Sequence, residues 1–235
     1  MYGFAYDYND ILKLKKYNLK IIEDCAEAIG SKYRNKYVGS MCDVATFSFY
    51  GNKTITTGEG GMVVTKSKDI HKKIVFLKSQ GLNIYKTNNF YNHEVVGYNY
   101  RMTNICASIG LAQLKKINLI IRQKRLIFKQ YKKFLNKNVL FQSQIKNTIS
   151  TYWLVTILVD KKKTKIDLEK YLKKNNVETR PIFTPMHKLK MYRNTKNNFK
   201  NSENIYNLGI SLPSYPGLNQ KEIKFISDKI NKFFK

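Results

Sequence analysis

A chain of 235 residues, 43% of them hydrophobic, is long enough to bury one large core or two modest ones. Its formal net charge of +27, from 43 basic and 16 acidic side chains, raises nucleic acid or an anionic surface as a partner. Against that, only six of the basic residues are arginines, the side chain that reads phosphate and guanine edges bidentately, and the lysines are spread over the whole chain, which predicts a solvated basic surface attracting small anions rather than a nucleic-acid patch.

Asp7, Asn9 and Asp10 are capping residues for a short amphipathic helix through Tyr17, with Ile11, Leu12 and Leu14 on its buried side and Asn18 as its stop. Residues 19–23 read as an apolar strand ending in Glu23 and Asp24, and 25–29 as a helix start or turn closed by Gly30. Residues 32–38 alternate in polarity on both sides of Arg34 and Asn35, the pattern of a small hairpin. The stretch 45–61, ATFSFYGNKTITTGEGG, opens as a buried strand, breaks at Gly51 and Asn52, and reverses at Gly60 and Gly61 into a strand over 62–65. Ser67 caps a helix through about Leu77, and 83–92 is a polar, aromatic loop. From Thr103 a single long helix runs to about Lys137, with Ile105, Ile109, Ala112, Leu114, Ile117, Ile121 and Leu126 as its apolar stripe. The remainder is a buried strand within 148–160 (TYWLVTILV), a helix over 164–174, a proline-containing excursion and a closing helix over 217–234.

Within 45–61, Lys53 stands between small and hydroxyl side chains (Thr54, Thr56, Thr57, Gly58). These leave room around its amine, and partial desolvation favours the neutral, nucleophilic form that a Schiff-base lysine needs. A solvated loop lysine is the alternative reading of the same window. Asp24, at the C-terminal end of a central α/β strand, sits where such folds place ligand chemistry; the alternative is a helix N-cap. Carboxylate, amine and the Ser48 hydroxyl together are the groups that pyridoxal phosphate requires. Cys25, Cys42 and Cys106 are far apart without a CxxC, and His71, His93 and His187 lack metal spacing, so neither a disulfide framework nor a metal site is expected. No window approaches the ~18 apolar residues of a membrane span and the N-terminus has no signal pattern, so a cytoplasmic location is expected.

The stretches IIEDCAEAIGS, YVGSMCDVATFSFYGNKTITTGEGGMVVT, VVGYNYRMTNICASIGLAQL, VETRPIFTPMHKLKMY and ISLPSYPGL, in this order over nearly the whole chain, resemble the DegT-type nucleotide-sugar aminotransferase family. Within it, the GNKTITTGEGG and EDCAEA forms are most similar to perosamine synthases. The resemblance implies a dimeric pyridoxal-phosphate enzyme of the aspartate aminotransferase fold. The α/β large domain would be present only in part, over 1–125, and a connector helix with a small α+β domain would follow over 126–235.

By the same resemblance Lys53 carries the Schiff base and moves protons, Asp24 pairs with the pyridine nitrogen, Glu27 approaches the cofactor's 3′ oxygen, and Ser48 binds its phosphate. Asn99 reaches across a twofold dimer to the partner's cofactor phosphate. Arg180 and His187 meet sugar or diphosphate oxygens, or in the case of Arg180 stabilise the small domain. The implied reaction is amino transfer, with glutamate as donor, to a nucleotide-linked 4-keto-6-deoxy sugar in polysaccharide biosynthesis. Members of the family usually begin well upstream, so the chain is expected to be N-terminally truncated and to lack part of the phosphate site. The competing expectations are a non-catalytic remnant, half of a split enzyme, or a basic nucleic-acid-binding protein.

Overall fold

The computed structural model describes residues 1–83, 91–192 and 198–235; most of the loop expected over 83–92 lies outside them. Two compact units form, one from Met1, Gly3–Ile121 and Ile145–Thr151, the other from Tyr2, Arg122–Gln144 and Tyr152–Lys235.

In the first unit α1 (Tyr8–Lys13) starts where the Asp7 carboxylate accepts from the Asn9 N–H at 3.0 Å. A 3₁₀ turn, Leu14–Tyr17, extends it to Asn18, whose left-handed φ of 56° ends it. Its buried residue is Tyr8, whereas Leu14 is exposed, correcting the expected face. β1 (Ile22–Asp24) follows, then the hairpin of β2 (Lys32–Tyr33) and β3 (Lys36–Tyr37). Arg34 and Asn35 turn it with φ of 45° and 65°, the pair of positive values that a two-residue hairpin favours. β4 (Val44–Ser48) and β5 (Gly61–Thr65) complete a sheet of order β1-β4-β5, in which β1 runs parallel to β4 and β5 antiparallel to it.

The strand near 19–23 is thus shorter and later than its apolar run suggested, and the two-residue alternation along β1 decides its chemistry. Ile22 and Asp24 face outward and Glu23 inward. Glu23, 5% exposed, accepts from the Tyr8 hydroxyl at 2.5 Å and from the N–H groups of Gly39, Met41 and Cys42 at 2.7, 3.2 and 2.9 Å. Burial alone would raise this carboxyl, but those four hydrogen bonds outweigh it and hold the group below its ordinary value. Replacing it by an amide leaves N–H donors facing an NH₂ group, so Glu23→Gln is expected to cost about 2–3 kcal/mol in urea unfolding. The carboxylate's contribution is complete above the ordinary carboxylate range and is lost as pH falls through the lowered folded-state value. Stability of the natural protein should therefore fall more steeply below about pH 5 than that of the variant.

α2 (Lys68–Lys78) is capped as expected, the Ser67 hydroxyl accepting from the Ile70 N–H at 3.3 Å. The helix beginning after Thr103 is not continuous: α3 (Asn104–Leu114) ends at Lys115 and α4 (Ile117–Phe134) begins anew. Of the expected stripe, Ile105 (76%), Ile109, Leu114 and Leu126 are exposed while Ile121 is buried. After β6 (Leu140–Phe141) the chain returns to the first unit as β7 (Thr148–Ile149), which pairs antiparallel with β2 outside the hairpin. The expected strand within 148–160 is therefore two: Tyr152 turns at φ 50°, and β8 (Val155–Leu158) belongs to the second unit.

That unit adds α5 (Lys162–Lys174), β9 (Arg180–Pro181), α6 (Lys200–Leu208), β10 (Gly209–Leu212) and α7 (Gln220–Phe233) around a sheet of order β6-β8-β10-β9. Val155, Ile157, Leu168, Leu172, Ile210, Ile223 and Ile230 are fully buried in its core, each contributing about 1.5–3 kcal/mol of apolar burial. A capping box between Asn219 and Glu222 starts α7. On α4, the buried Lys124 donates to the Ser214 carbonyl at 2.8 Å and the Tyr131 hydroxyl to the Pro213 carbonyl at 2.9 Å. Burial pushes the Lys124 ammonium down to about 8. The unfolded chain keeps that proton into the ordinary lysine range, so between about pH 8 and 10 the second unit should gain on the order of 1–3 kcal/mol. Urea unfolding followed on the buried, single Trp153 reads this gain, and Lys124→Met should flatten it.

Candidate functional site

Asp24, Glu27, Ser48, Lys53 and Asn99 all lie in the first unit. Asp24 pairs in register with Thr46 across the parallel β1–β4 ladder. Ser48 is two residues beyond Thr46, so Asp24 and Ser48 share one face of the sheet at the C-terminal ends of two parallel strands. Ligands bind open α/β sheets at such ends. The Asp24 carboxylate accepts from the Ala26 N–H at 3.0 Å, and the Ser48 hydroxyl from the Tyr50 N–H at 3.3 Å.

Lys53 follows β4 in a loop fixed by its own polar groups. Its N–H donates to the Tyr50 carbonyl at 3.0 Å, and the Thr57 N–H and Thr56 hydroxyl both donate to the Phe49 carbonyl at 2.9 Å. Gln113 of α3 clasps Thr56 on both sides, accepting from its N–H at 3.1 Å and donating to its carbonyl at 2.5 Å. Gly60, at φ 95°, and Gly61 close the loop; a Cβ on Gly61 would stand 2.5 Å from the Phe47 carbonyl oxygen, so no larger residue fits the reversal. From this frame the Lys53 Nζ donates to Glu27 Oε1 at 3.4 Å, the two side chains being 13% and 14% exposed. The structure thus brings the amine and the Glu27 carboxylate together, a pairing that the sequence did not indicate. The solvated loop lysine that competed for this window does not describe Lys53.

Thr54, 7% exposed, carries the only buried side-chain nitrogen or oxygen that has no hydrogen-bond partner among the described residues, its Oγ1. Asn99 is exposed, and its backbone bridges to Ser79. The flanking Tyr98 and Tyr100 rings stack on each other at 4.9 Å.

Arg180 and His187 lie in the second unit, and each has a carboxylate partner there. Arg180 pairs with Glu178 at 2.8 Å on the surface. His187 Nε2 lies 2.9 Å from Glu203, which also accepts from Lys188 at 2.9 Å, while the imidazole stacks on Phe199 at 4.7 Å. Hydrogen bonds from Lys188 and His187 hold the Glu203 carboxyl below its ordinary value.

Burial pushes the Cys25 thiol up to about 12 and that of Cys42 to about 11, with the Glu23 charge adding to both, so neither is a ready thiolate. A cleft of about 390 Å³ between α1 and the β2–β3 hairpin is lined by Tyr33, Arg34, Lys36 and Lys66 among others and contains none of the residues above. Among the described residues, no group of His, Cys, Asp and Glu is arranged to hold a metal, and no helix is long and apolar enough to cross a membrane.

A family model described as the DegT/DnrJ/EryC1/StrS aminotransferase family matches residues 1–231. The chain is similar to the GDP-perosamine synthase of Escherichia coli O157:H7, with 46% identity over 235 residues, 100% of this chain and 64% of that protein. To the GDP-perosamine synthase of Vibrio cholerae it is 42% identical over 240 positions, 100% of this chain and 65% of that protein. Among solved structures, Helicobacter pylori PseC, an aminotransferase involved in the biosynthesis of pseudoaminic acid, superposes with a TM-score of 0.89 at 28% identity, covering 98% of this chain and 64% of that one. The chain spans 64–65% of the length of the two perosamine synthases.

Proposed function

Since the chain belongs to the DegT/DnrJ/EryC1/StrS aminotransferase family and has the fold of type I pyridoxal-phosphate aminotransferases, we propose that it serves pyridoxal-phosphate-dependent amino transfer to a nucleotide-linked 4-keto-6-deoxy sugar, as a GDP-perosamine synthase does. The observation that carries this reading is the part-buried Lys53–Glu27 pair in the loop that follows a parallel strand pair presenting Asp24 and Ser48 on one face. Those residues fit the cofactor: an amine for its aldehyde, a carboxylate for its ring nitrogen and a hydroxyl for its phosphate.

When bound, pyridoxal phosphate supplies an aldehyde and an electron-withdrawing ring. Lys53 would hold that aldehyde through Nζ and, as a free amine, would take and return the proton at the amino donor's Cα. Asp24 would offer its carboxylate to the ring nitrogen and so favour the protonated ring. Ser48 would hold a phosphate oxygen, and Glu27 directs the Lys53 amine. In a twofold dimer Asn99 would extend to the second copy's phosphate. Arg180 and His187, which pair with Glu178 and Glu203, are the residues proposed to meet substrate oxygens, and glutamate is the proposed amino donor.

A second reading, in which this chain provides one part of a site that another polypeptide segment completes, is favoured by the exposure of Ile22 beside Asp24 and of Ile105, Ile109 and Leu111 on α3. Absorption spectra of the purified chain titrated with pyridoxal phosphate test both readings. A new band that is fixed by borohydride and bleached by glutamate supports amino transfer. A band that forms only when the segment matching the rest of the relatives' length is added supports the second reading, and no band under either condition overturns both.

A further inference from the structure

We propose that Gln113 is a positioning residue for the Lys53 amine: through its clasp on Thr56 it holds the loop in the form that keeps the amine against Glu27. The use to which the amine is put rests on the reading of the preceding subsection, whereas the coupling of Gln113 to Lys53 concerns this chain alone.

Within α3 every residue is exposed except Cys106, Gly110 and Gln113, and the last two meet the Lys53 loop. A Cβ on Gly110 would stand 2.8 Å from the Thr57 methyl carbon, so the helix backbone lies as close to the loop as a glycine permits. One turn on, along the same face, Gln113 accepts from the Thr56 N–H at 3.1 Å and donates to the Thr56 carbonyl at 2.5 Å, while its Nε2 also lies 3.4 Å from the Ile109 carbonyl of its own helix. These bonds fix the orientation of the amide, and they give the Thr56 backbone the donor and acceptor that a neighbouring strand would offer.

The clasped residue is three positions from Lys53. The Thr56 hydroxyl and the Thr57 N–H both donate to the Phe49 carbonyl, and the Lys53 N–H donates to the Tyr50 carbonyl. Those bonds shape the loop from within, and the clasp anchors it to α3. At ~3.8 Å of chain per residue, a segment tied at both ends passes a shift of Thr56 on to Lys53. The Nζ–Glu27 contact, at 3.4 Å between side chains 13% and 14% exposed, is already longer than an ordinary N–H···O bond, so a displacement of under about an ångström separates the pair. An amine freed in this way turns to solvent.

Gln113→Met tests the coupling, since it keeps the length of the side chain and removes both its donor and its acceptor. The readout, taken without pyridoxal phosphate, is the rate at which acetic anhydride acetylates each lysine, resolved by mass spectrometry and referred to the exposed Lys36. Lys53 should react about tenfold faster than in the natural chain, because losing two hydrogen bonds raises the open population of the loop by about that factor. The half-buried Lys32 of the same unit, whose Nζ lies 4.3 Å from the Tyr37 ring centre, should keep its rate. Gln113→Glu, which retains the acceptor and loses the donor, should shift Lys53 in the same direction by a smaller factor, and it decides the matter if Gln113→Met does not fold. A Lys53 rate within twofold of the natural chain's overturns the proposal, and so does an equal rise at Lys32, which would mean that the whole unit had loosened. Absorbance titration of the natural chain with pyridoxal phosphate separates the two claims: no uptake removes the cofactor reading and leaves the coupling to stand or fall on the acetylation rates, whereas uptake with an unmoved Lys53 rate removes the positioning role alone.

Discussion

Reduction with borohydride in the presence of pyridoxal phosphate is expected to label Lys53 and no other of the chain's lysines. What separates Lys53 from the rest is its setting: it is held to Glu27 at 3.4 Å with 13% of its side chain exposed, in a loop fixed by bonds from the Lys53 and Thr57 N–H groups and the Thr56 hydroxyl to the Tyr50 and Phe49 carbonyls. Lys53→Arg keeps a cation for Glu27 and so preserves the pair, but a guanidinium stays protonated and cannot bond to an aldehyde carbon. Amino transfer should therefore fall on the order of 10⁴-fold, the reach of a group that moves protons at the reacting carbon, with circular dichroism and melting temperature little changed. Label spread over several surface lysines, or an active Lys53→Arg protein, would refute the assignment.

Asp24→Asn has the second-largest expected effect. Asparagine keeps the side-chain oxygen that accepts from the Ala26 N–H at 3.0 Å, and Asp24 faces outward from β1, so the fold should survive. What would disappear, on the proposed assignment of Asp24, is the negative charge offered to the ring nitrogen, and with it the protonated ring that withdraws electrons from the reacting bond. A loss of about 10³-fold in turnover is expected, equivalent to about 4 kcal/mol of transition-state stabilisation, with pyridoxal phosphate still bound at Lys53. Turnover within a few-fold of the natural protein would remove Asp24 from the site.

Much of this arrangement was legible in the sequence where a local rule governs it. The hairpin at Arg34–Asn35 and the caps at Asp7 and Ser67 depend on a few neighbouring residues, and the structure has them as read. The break between α3 and α4 was not legible, because Lys115 and Lys116 are good helix formers and the apolar period runs through them. The same period placed Ile105 and Ile109 inside, yet α3 leaves both exposed; periodicity marks an apolar face without saying what covers it. The run over 148–160 reads as one strand because nothing before Tyr152 signals the left-handed residue that divides it. Of the adjacent acids Glu23 and Asp24, alternation alone states that one points inward, and the choice follows from which side offers N–H donors. Lys53 and Glu27 could be named one at a time, but their pairing joins positions 26 residues apart and appears only when the strands are assembled.

The return of residues 145–151 to the first unit has a consequence for how the chain is made. β2 gains its outer neighbour β7, and the Gly3 carbonyl its bonds from the Ser150 hydroxyl and the Thr151 N–H, only after 122–144 of the other unit has been synthesised. At roughly 5–20 residues per second, the 30 residues from 121 to 151 take about 2–6 s on the ribosome. During that interval β2, paired with β3 on one side and with its Tyr33 ring against Tyr8, lacks β7 on the other, an edge open to whatever nascent chain or chaperone reaches it first.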